Sequence, residues 1–385
     1  MNTIKKYPFY FQATTVLFGL ILFVYALMNL KNVVIPLLFA SLLSVLLNPI
    51  VDWLEKKRVP KVISILLSIF LALIVLLSVM YFISSQLMSF RTELPVLRER
   101  FAALFVKLRG WLNLHMNVSY AKQEELIQNG KHSLESLLGQ TLGIALGVIN
   151  VFVLIPVYTF LFIYYKKLIL NFLFEVFATT NSKEVGIVLS QTKGAVQNYM
   201  IGLMVEGLII ATLNTVALLI LGVKYSLLLG LLGAILNVLP LFGGFIAILL
   251  PVIIATITKD GFTTQIWIIV SYTVIQFIDN HFIIPFFVSS RVKINALISI
   301  VVVLLGGGLW GIPGMFLSIP ITGVLKIVFD RIPELKPWGK LLGDEVPSTF
   351  KGEKNLLGMA TDKVKATGTR KKAGRNLAVD GGSQK

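Results

Sequence analysis

Within the run Gln276-Phe-Ile-Asp279-Asn280-His281-Phe-Ile-Ile-Pro285, a carboxylate stands in an otherwise apolar segment. Helical spacing places Gln276, Asp279 and Asn280 near one face, while Pro285 breaks the ladder a turn further on and frees a carbonyl. A carboxylate, two amides and a freed carbonyl are hard oxygen ligands. Such a set suits a cation, a proton relay or a hydroxylated organic solute. The plainer reading puts Asp279 at the cytoplasmic interface, capping a helix or pairing with Arg291 or Lys293. Glu206, in Tyr199-Met-Ile-Gly202-Leu-Met-Val-Glu206-Gly207, is the other acidic residue in an apolar run. It is a candidate coupling carboxylate, or a side chain that snorkels to the cytoplasmic surface from a turn inside the span.

These residues lie between and beside two long apolar stretches, Ser226 to Ile257 and Asn295 to Phe329, each interrupted by a glycine/proline cluster. The first interruption contains Asn237, Pro240, Gly243 and Gly244; the second contains Gly307, Gly308, Gly311 and Pro313. A straight helix over either stretch would run to roughly 50 Å, against a hydrocarbon core of about 30 Å. Each therefore folds back or unwinds within the bilayer, which exposes backbone polar groups near mid-membrane, a condition tolerated only in a protein interior or beside a water-filled cavity. Paired interruptions of this kind point to a transporter's binding site, with one cluster as each gate and Asp279, Gln276 and Asn280 holding the ion or solute. A tight packing turn that holds no ligand is the alternative.

The 385 residues are 56% hydrophobic and 14% charged, and contain no cysteine. Mean hydropathy is +0.83. This is the profile of an all-α polytopic membrane protein, and it excludes disulfides, thiolate metal sites and cysteine nucleophiles. The three histidines, His115, His132 and His281, show no metal-ligand spacing, and no HExxH, GxSxG or Walker A sequence occurs. No enzyme activity, metal or cofactor is expected. The net charge of +16 resides in short loops and the C-terminal region, where it reads as topology signal and anionic-lipid contact rather than nucleic-acid binding.

Apolar runs of spanning length occur at Phe9–Leu30, Val33–Val51, Val62–Ser84, Leu142–Tyr165, Ile201–Leu221 and Phe262–Phe287. The expected plan has six full spans plus two broken, re-entrant hairpins. Residues 1–84 hold spans one to three, and 85–140 form an amphipathic helical hairpin outside the membrane. Residues 141–200 hold span four and a cytoplasmic amphipathic segment from Asn181 to Tyr199; 201–331 are the transport core, and 332–385 a basic tail without apolar periodicity. Lys5, Lys6, Lys56, Lys57, Arg58, Lys61, Lys166, Lys167, Lys183 and Lys193 fall on one side, which makes both termini cytoplasmic. Two counts compete: re-entrant hairpins related by inversion, or eight crossings in which each broken stretch is one kinked span.

From Leu221 to Gly230, Ile235 to Gly244, Gln276 to Asn280 with Pro285, and Gly306 to Pro320, the chain resembles the autoinducer-2 exporter family of membrane permeases. The resemblance covers roughly Phe9 to Arg331, with Glu206 and His281 departing from the family pattern. It implies a bacterial inner-membrane carrier, a homo-oligomer with a pentamer as one form, moving small solutes outward by an elevator-like or alternating-access motion. Some members are similar in activity to sodium/proton antiporters. The expected partners are a small-molecule solute, a coupling proton or sodium ion, and membrane lipid. A contrasting possibility is an oligomeric scaffold or passive pore that uses the 85–140 hairpin as its partner surface.

Overall fold

A computed structural model describes residues 8–86, 88, 153–177, 182–237, 243–259, 261–288 and 293–345. Every regular element among them is helical: α1 (Phe9–Asn29), α2 (Lys31–Lys56), α3 (Lys61–Gln86), α4 (Val153–Tyr164), α5 (Lys166–Phe177), α6 (Ser182–Ile220), α7 (Ser226–Asn237), α8 (Gly243–Thr258), α9 (Thr263–Ile278, continued by Asp279–Val288), α10 (Ala296–Trp310), α11 (Ile312–Arg331) and α12 (Lys336–Leu342). Among the described residues six helices are long and apolar enough to cross a membrane: α1, α2, α3, α6, α9 with its extension, and α11. Pro240, Arg291, the expected external hairpin except for residues 85, 86 and 88, and residues 346–385 of the basic tail lie outside the described residues, while Lys336–Leu342 of that tail is helical.

Helix α2 is the hinge between two packing groups. On one side Leu47 and Val51 pack with Ile65 and Ile69 of α3 and Ile163 of α4; on the other Leu42 packs with Val196 of α6 and Leu317 of α11. Phe39 stacks on Phe316 with ring centroids 5.5 Å apart. Basic side chains gather at one end of this bundle. Lys61 donates to the Tyr164 carbonyl (2.7 Å), and Arg331 meets Glu184 (3.6 Å) and the Gln191 side chain (3.3 Å).

Both interrupted stretches fold back on themselves. In the first, a Cβ on Gly243 would strike the backbone of Leu236 and Asn237, and one on Gly233 would lie 3.6 Å from the Ala247 Cβ, so α7 and α8 run antiparallel. The open ends meet as well, since the Lys259 ammonium approaches Gly222. In the second, Gly306 and Gly314 face each other backbone to backbone, and the chain reverses at Gly311. That residue has φ +65° and ψ −142°, a conformation that glycine alone adopts without strain. The α7–α8 hairpin points its tip toward the basic end, whereas α10–α11 points away from it, and α6 packs against members of both.

Three expectations change. Gly306, Gly307 and Gly308 are helical residues of α10 and not an unwound segment; the reversal is confined to Gly311, whose amide donates to the Gly307 carbonyl (2.8 Å). Its depth differs too, because the Trp310 indole N–H donates to the Leu27 carbonyl (3.0 Å), which places this turn level with the C-terminal end of α1. Finally, the amphipathic stretch expected to lead into span five is, from Ser182 onward, continuous with that span. With no proline between Ser182 and Ile220, the backbone ladder continues unbroken, and α6 is a single helix of 39 residues.

Close approach in this group depends on missing side chains, the usual device where lipid is as apolar as leucine. A Cβ at Gly230 would strike the backbone and hydroxyl of Thr215, and one at Gly202 the Phe287 carbonyl, while Gly207 faces open space. Gly230→Ala should therefore destabilise the detergent-solubilised protein by about 1–3 kcal/mol through overpacking, and Gly207→Ala should leave thermal unfolding nearly unchanged. Equal unfolding curves for the two variants would contradict the packing described.

Candidate functional site

Asp279 is fully buried, at 0% exposure, where α9 changes from α-helical to wider π-helical hydrogen bonding. Pro285, inside the ten-residue π segment, cannot donate to the ladder. Asn237, the last residue of α7, sends its side-chain N–H to Asp279 Oδ2 (2.8 Å), and Gln276 sends a longer one to the same oxygen (3.4 Å). Asp279 Oδ1 has no hydrogen-bond partner among the described residues. Among the described residues the partners of this carboxylate are thus amides; Arg291 lies outside them. Gly244 lies against the Gln276 side-chain amide so closely that a Cβ there would displace it, and Gly243 fits under Asn237. The first hairpin and the α9 carboxylate form one site.

Asn280 is exposed and does not join them. Buried positions on this part of the helix follow Tyr272, Asp279, Ile283 and Val288, and Asn280 lies about 100° around the axis from Asp279. His281 is exposed too, stacked on Phe277 at 4.2 Å between ring centroids. Glu206 is buried at 5% exposure, does not snorkel, and lies within electrostatic reach of Asp279. The remaining expected residues, Gly307, Gly308, Gly311 and Pro313, belong to the hairpin that packs, among the described residues, chiefly on α1, α2, α6 and α12. Pro240 falls outside the described residues.

The structure adds residues that pattern reading missed. Asn214 Oδ1, the Tyr272 hydroxyl and both polar atoms of the Gln265 amide are buried without partners among the described residues, as is Asp279 Oδ1. All sit on α6 or α9. Gln265, Tyr272, Gln276 and Asp279 step by seven, four and three along α9, so they share one face over about 21 Å. Asn214 and Tyr272 converge on Gly233 of α7, where a Cβ would lie 3.0 Å from the Asn214 amide nitrogen and 3.8 Å from the Tyr272 oxygen. An orphaned buried polar atom costs about 1–3 kcal/mol, and calls for an explanation such as water or an ion. The seven-residue spacing of Gln265, Tyr272 and Asp279 is the signal that could have found this face. Among the described residues no group of three or more His, Cys, Asp or Glu could hold a metal ion.

A bundle of apolar helices with a buried carboxylate and a line of uncharged polar groups at its centre is a membrane permease's architecture. The chain belongs to the AI-2E transporter family, whose sequence profile it matches over residues 16–334. It is 24% identical to YrrI of Bacillus subtilis (strain 168) over 307 residues, covering 78% of this chain and 86% of that protein. It is likewise 24% identical to the AI-2 transport protein TqsA of Escherichia coli (strain K12) over 317 residues, covering 81% and 90%. The protein is an integral membrane transporter.

The Asn237–Asp279 contact can be weighed without knowing the solute. Asn237→Ala leaves both carboxylate oxygens without a good donor, so it should cost about 1–3 kcal/mol in thermal unfolding. Combined with Asp279→Ala the loss should be smaller than the sum of the single losses. Strict additivity would mean that the two side chains do not interact.

Proposed function

We propose that the protein is a secondary-active transporter of the bacterial inner membrane, exporting a small polar solute by alternating access coupled to protons or sodium. The carrying observation is the single α9 face on which unpartnered buried polar atoms lead to Asp279. Such a track is costly in a protein with no polar cargo, and intramembrane carboxylates mark ion and substrate pathways. Asp279 binds the coupling ion or the polar head of the solute, Asn237 and Gln276 hold it in place, and Glu206 assists as a second carboxylate. The uncharged groups at Asn214, Tyr272 and Gln265 suit hydroxylated cargo, which makes AI-2, the solute named for the E. coli relative, the first to test.

Two oppositely pointing hairpins on either side of α6 support alternating access, the α7–α8 unit dipping in as a re-entrant element from the end opposite the basic side chains. The basic end is cytoplasmic by the lysine/arginine rule, and both termini lie there. Helix α1 buries none of its residues within the chain, which leaves its apolar surface for lipid or a neighbouring subunit of a homo-oligomer.

Asp279→Asn should abolish ion-driven flux in proteoliposomes while the variant still reaches the membrane and keeps its thermal stability. Normal flux in that variant would remove the ion-site assignment, and absence of saturable counterflow in the unaltered protein would favour a scaffold or passive pore. In this cysteine-free chain, cysteines placed at Lys224 and Lys259 should react with impermeant reagent from the same side of the membrane, and one at Lys193 from the other. Reaction of Lys224 and Lys259 from opposite sides would replace the hairpin by a kinked span.

A further inference from the structure

A cavity lies at the basic end, between α2, the α4–α5 bend and the first turns of α6, and none of the Asp279-site residues lines it. Its volume is about 420 Å³, and its lining is divided in character: Asn48, Lys166, Ser190 and Lys193 on the polar part, Leu170 and Phe174 on the apolar part. Two lysines and no carboxylate line it. Asn48 is buried at 4% exposure and oriented by its neighbours, donating to Asp52 (2.6 Å) and accepting from the Lys166 ammonium (2.8 Å). Lys166 stands 4.0 Å from Asp52, a half-exposed and weak pairing that leaves donor capacity on an ammonium with three N–H groups. Lys193 has no ion pair or hydrogen bond among the described residues.

The surrounding geometry gives this cavity its setting. Helix α5 departs from α4 at 64° and buries none of its residues. It carries Leu168, Phe172, Val176 and Phe177 as exposed apolar groups, the composition of a helix lying in the membrane interface. Gly186 of α6 receives the Phe174 ring, with a Cβ there 3.6 Å from it, which sets how closely α5 approaches. A cationic, hydrogen-bonding recess thus opens beside an interfacial apolar surface, at the end of the molecule where basic loops collect.

We propose that this cavity seats the headgroup of an anionic phospholipid, its phosphate between Lys166 and Lys193 with the Ser190 hydroxyl as a further donor, and its acyl chains along α5. Basic recesses between helices on the cytoplasmic side bind acidic headgroups in this manner. The lipid bridges α5 to α6 and fixes the angle of the bend.

The test is lipid retention by the full-length purified protein, read by native mass spectrometry after incubation with phosphatidylglycerol or phosphatidylcholine. Phosphatidylglycerol should be retained preferentially; Lys193→Ala should lower its retention about fivefold, and adding Lys166→Gln should remove the preference. Lys56→Ala, at the same end but outside the cavity lining, should change nothing. Lys193 is exposed, so its variant carries the test even if the double variant folds poorly. Equal retention of the two lipids, or an equal loss in Lys56→Ala, would overturn the proposal. Displacement of phosphatidylglycerol by millimolar inorganic phosphate would overturn it too, by making the recess a site for the free anion.

Discussion

A carboxylate removed from water must be compensated or it destabilises the fold that buries it, at a cost of several kcal/mol per ion. Asp279 is compensated from a place that only a reversed chain can supply. The donor at 2.8 Å is the last residue of α7, so α7 has to end at the depth of Asp279, and the chain has to turn back there as α8. Gly243 and Gly244 make the return possible, because any side chain at either would occupy the space of Asn237 or Gln276. The interrupted helix, its depth and its contact with α9 thus follow from one hydrogen bond. The second carboxylate oxygen has no hydrogen-bond partner among the described residues in the same arrangement.

Packing around this site depends on small residues more than on large apolar ones. Lipid offers side chains as apolar a surrounding as the protein interior does, so helices associate where backbones approach closely. Gly202 against the Phe287 carbonyl, Gly230 against Thr215 and Gly306 against Gly314 join α6 to α9, α6 to α7, and α10 to α11. Helix α6 is therefore held by backbone-level contact on the Asp279 side and by side-chain packing through Val196 and Leu317 on the other. Helix α6 thus joins the Asp279 side to the second hairpin by two different kinds of contact, although the sequence interruptions on the two sides look alike.

Much of this was legible in the residues. Apolar run length marks the helices able to span, glycine and proline clusters mark both reversals, and two acidic side chains in apolar runs stand out because so few are there. What was illegible has physical reasons. Glycine in a helical pattern does not announce whether it faces open space, as Gly207 does, or another backbone, as Gly202 does. Three glycines at 306–308 read as a break, yet the helix survives because Gly306 gains a packing partner on α11. Asn214, Tyr272 and Gln265 are uncharged and individually ordinary; Asn214 and Tyr272 meet only because Gly233 of α7 is brought against both. The π-helical geometry after Asp279 has no compositional mark apart from Pro285.

The over-wide turn after Asp279 also bears on how this helix tolerates changes of length. In a regular α-helix, inward positions recur at steps of three and four, whereas here Asp279, Ile283 and Val288 are inward at steps of four and five. The segment carries more residues per turn than its axis requires, so removing one residue would let the hydrogen bonds relax to the ordinary pattern without shortening the span by more than a fraction of a turn. A removal that left the wide turns in place would instead turn everything beyond it about the helix axis, swinging the Phe287 carbonyl off Gly202. The helix would persist while the docking was lost, so this stretch sets an angle between two helices by its count of residues and not by their identity.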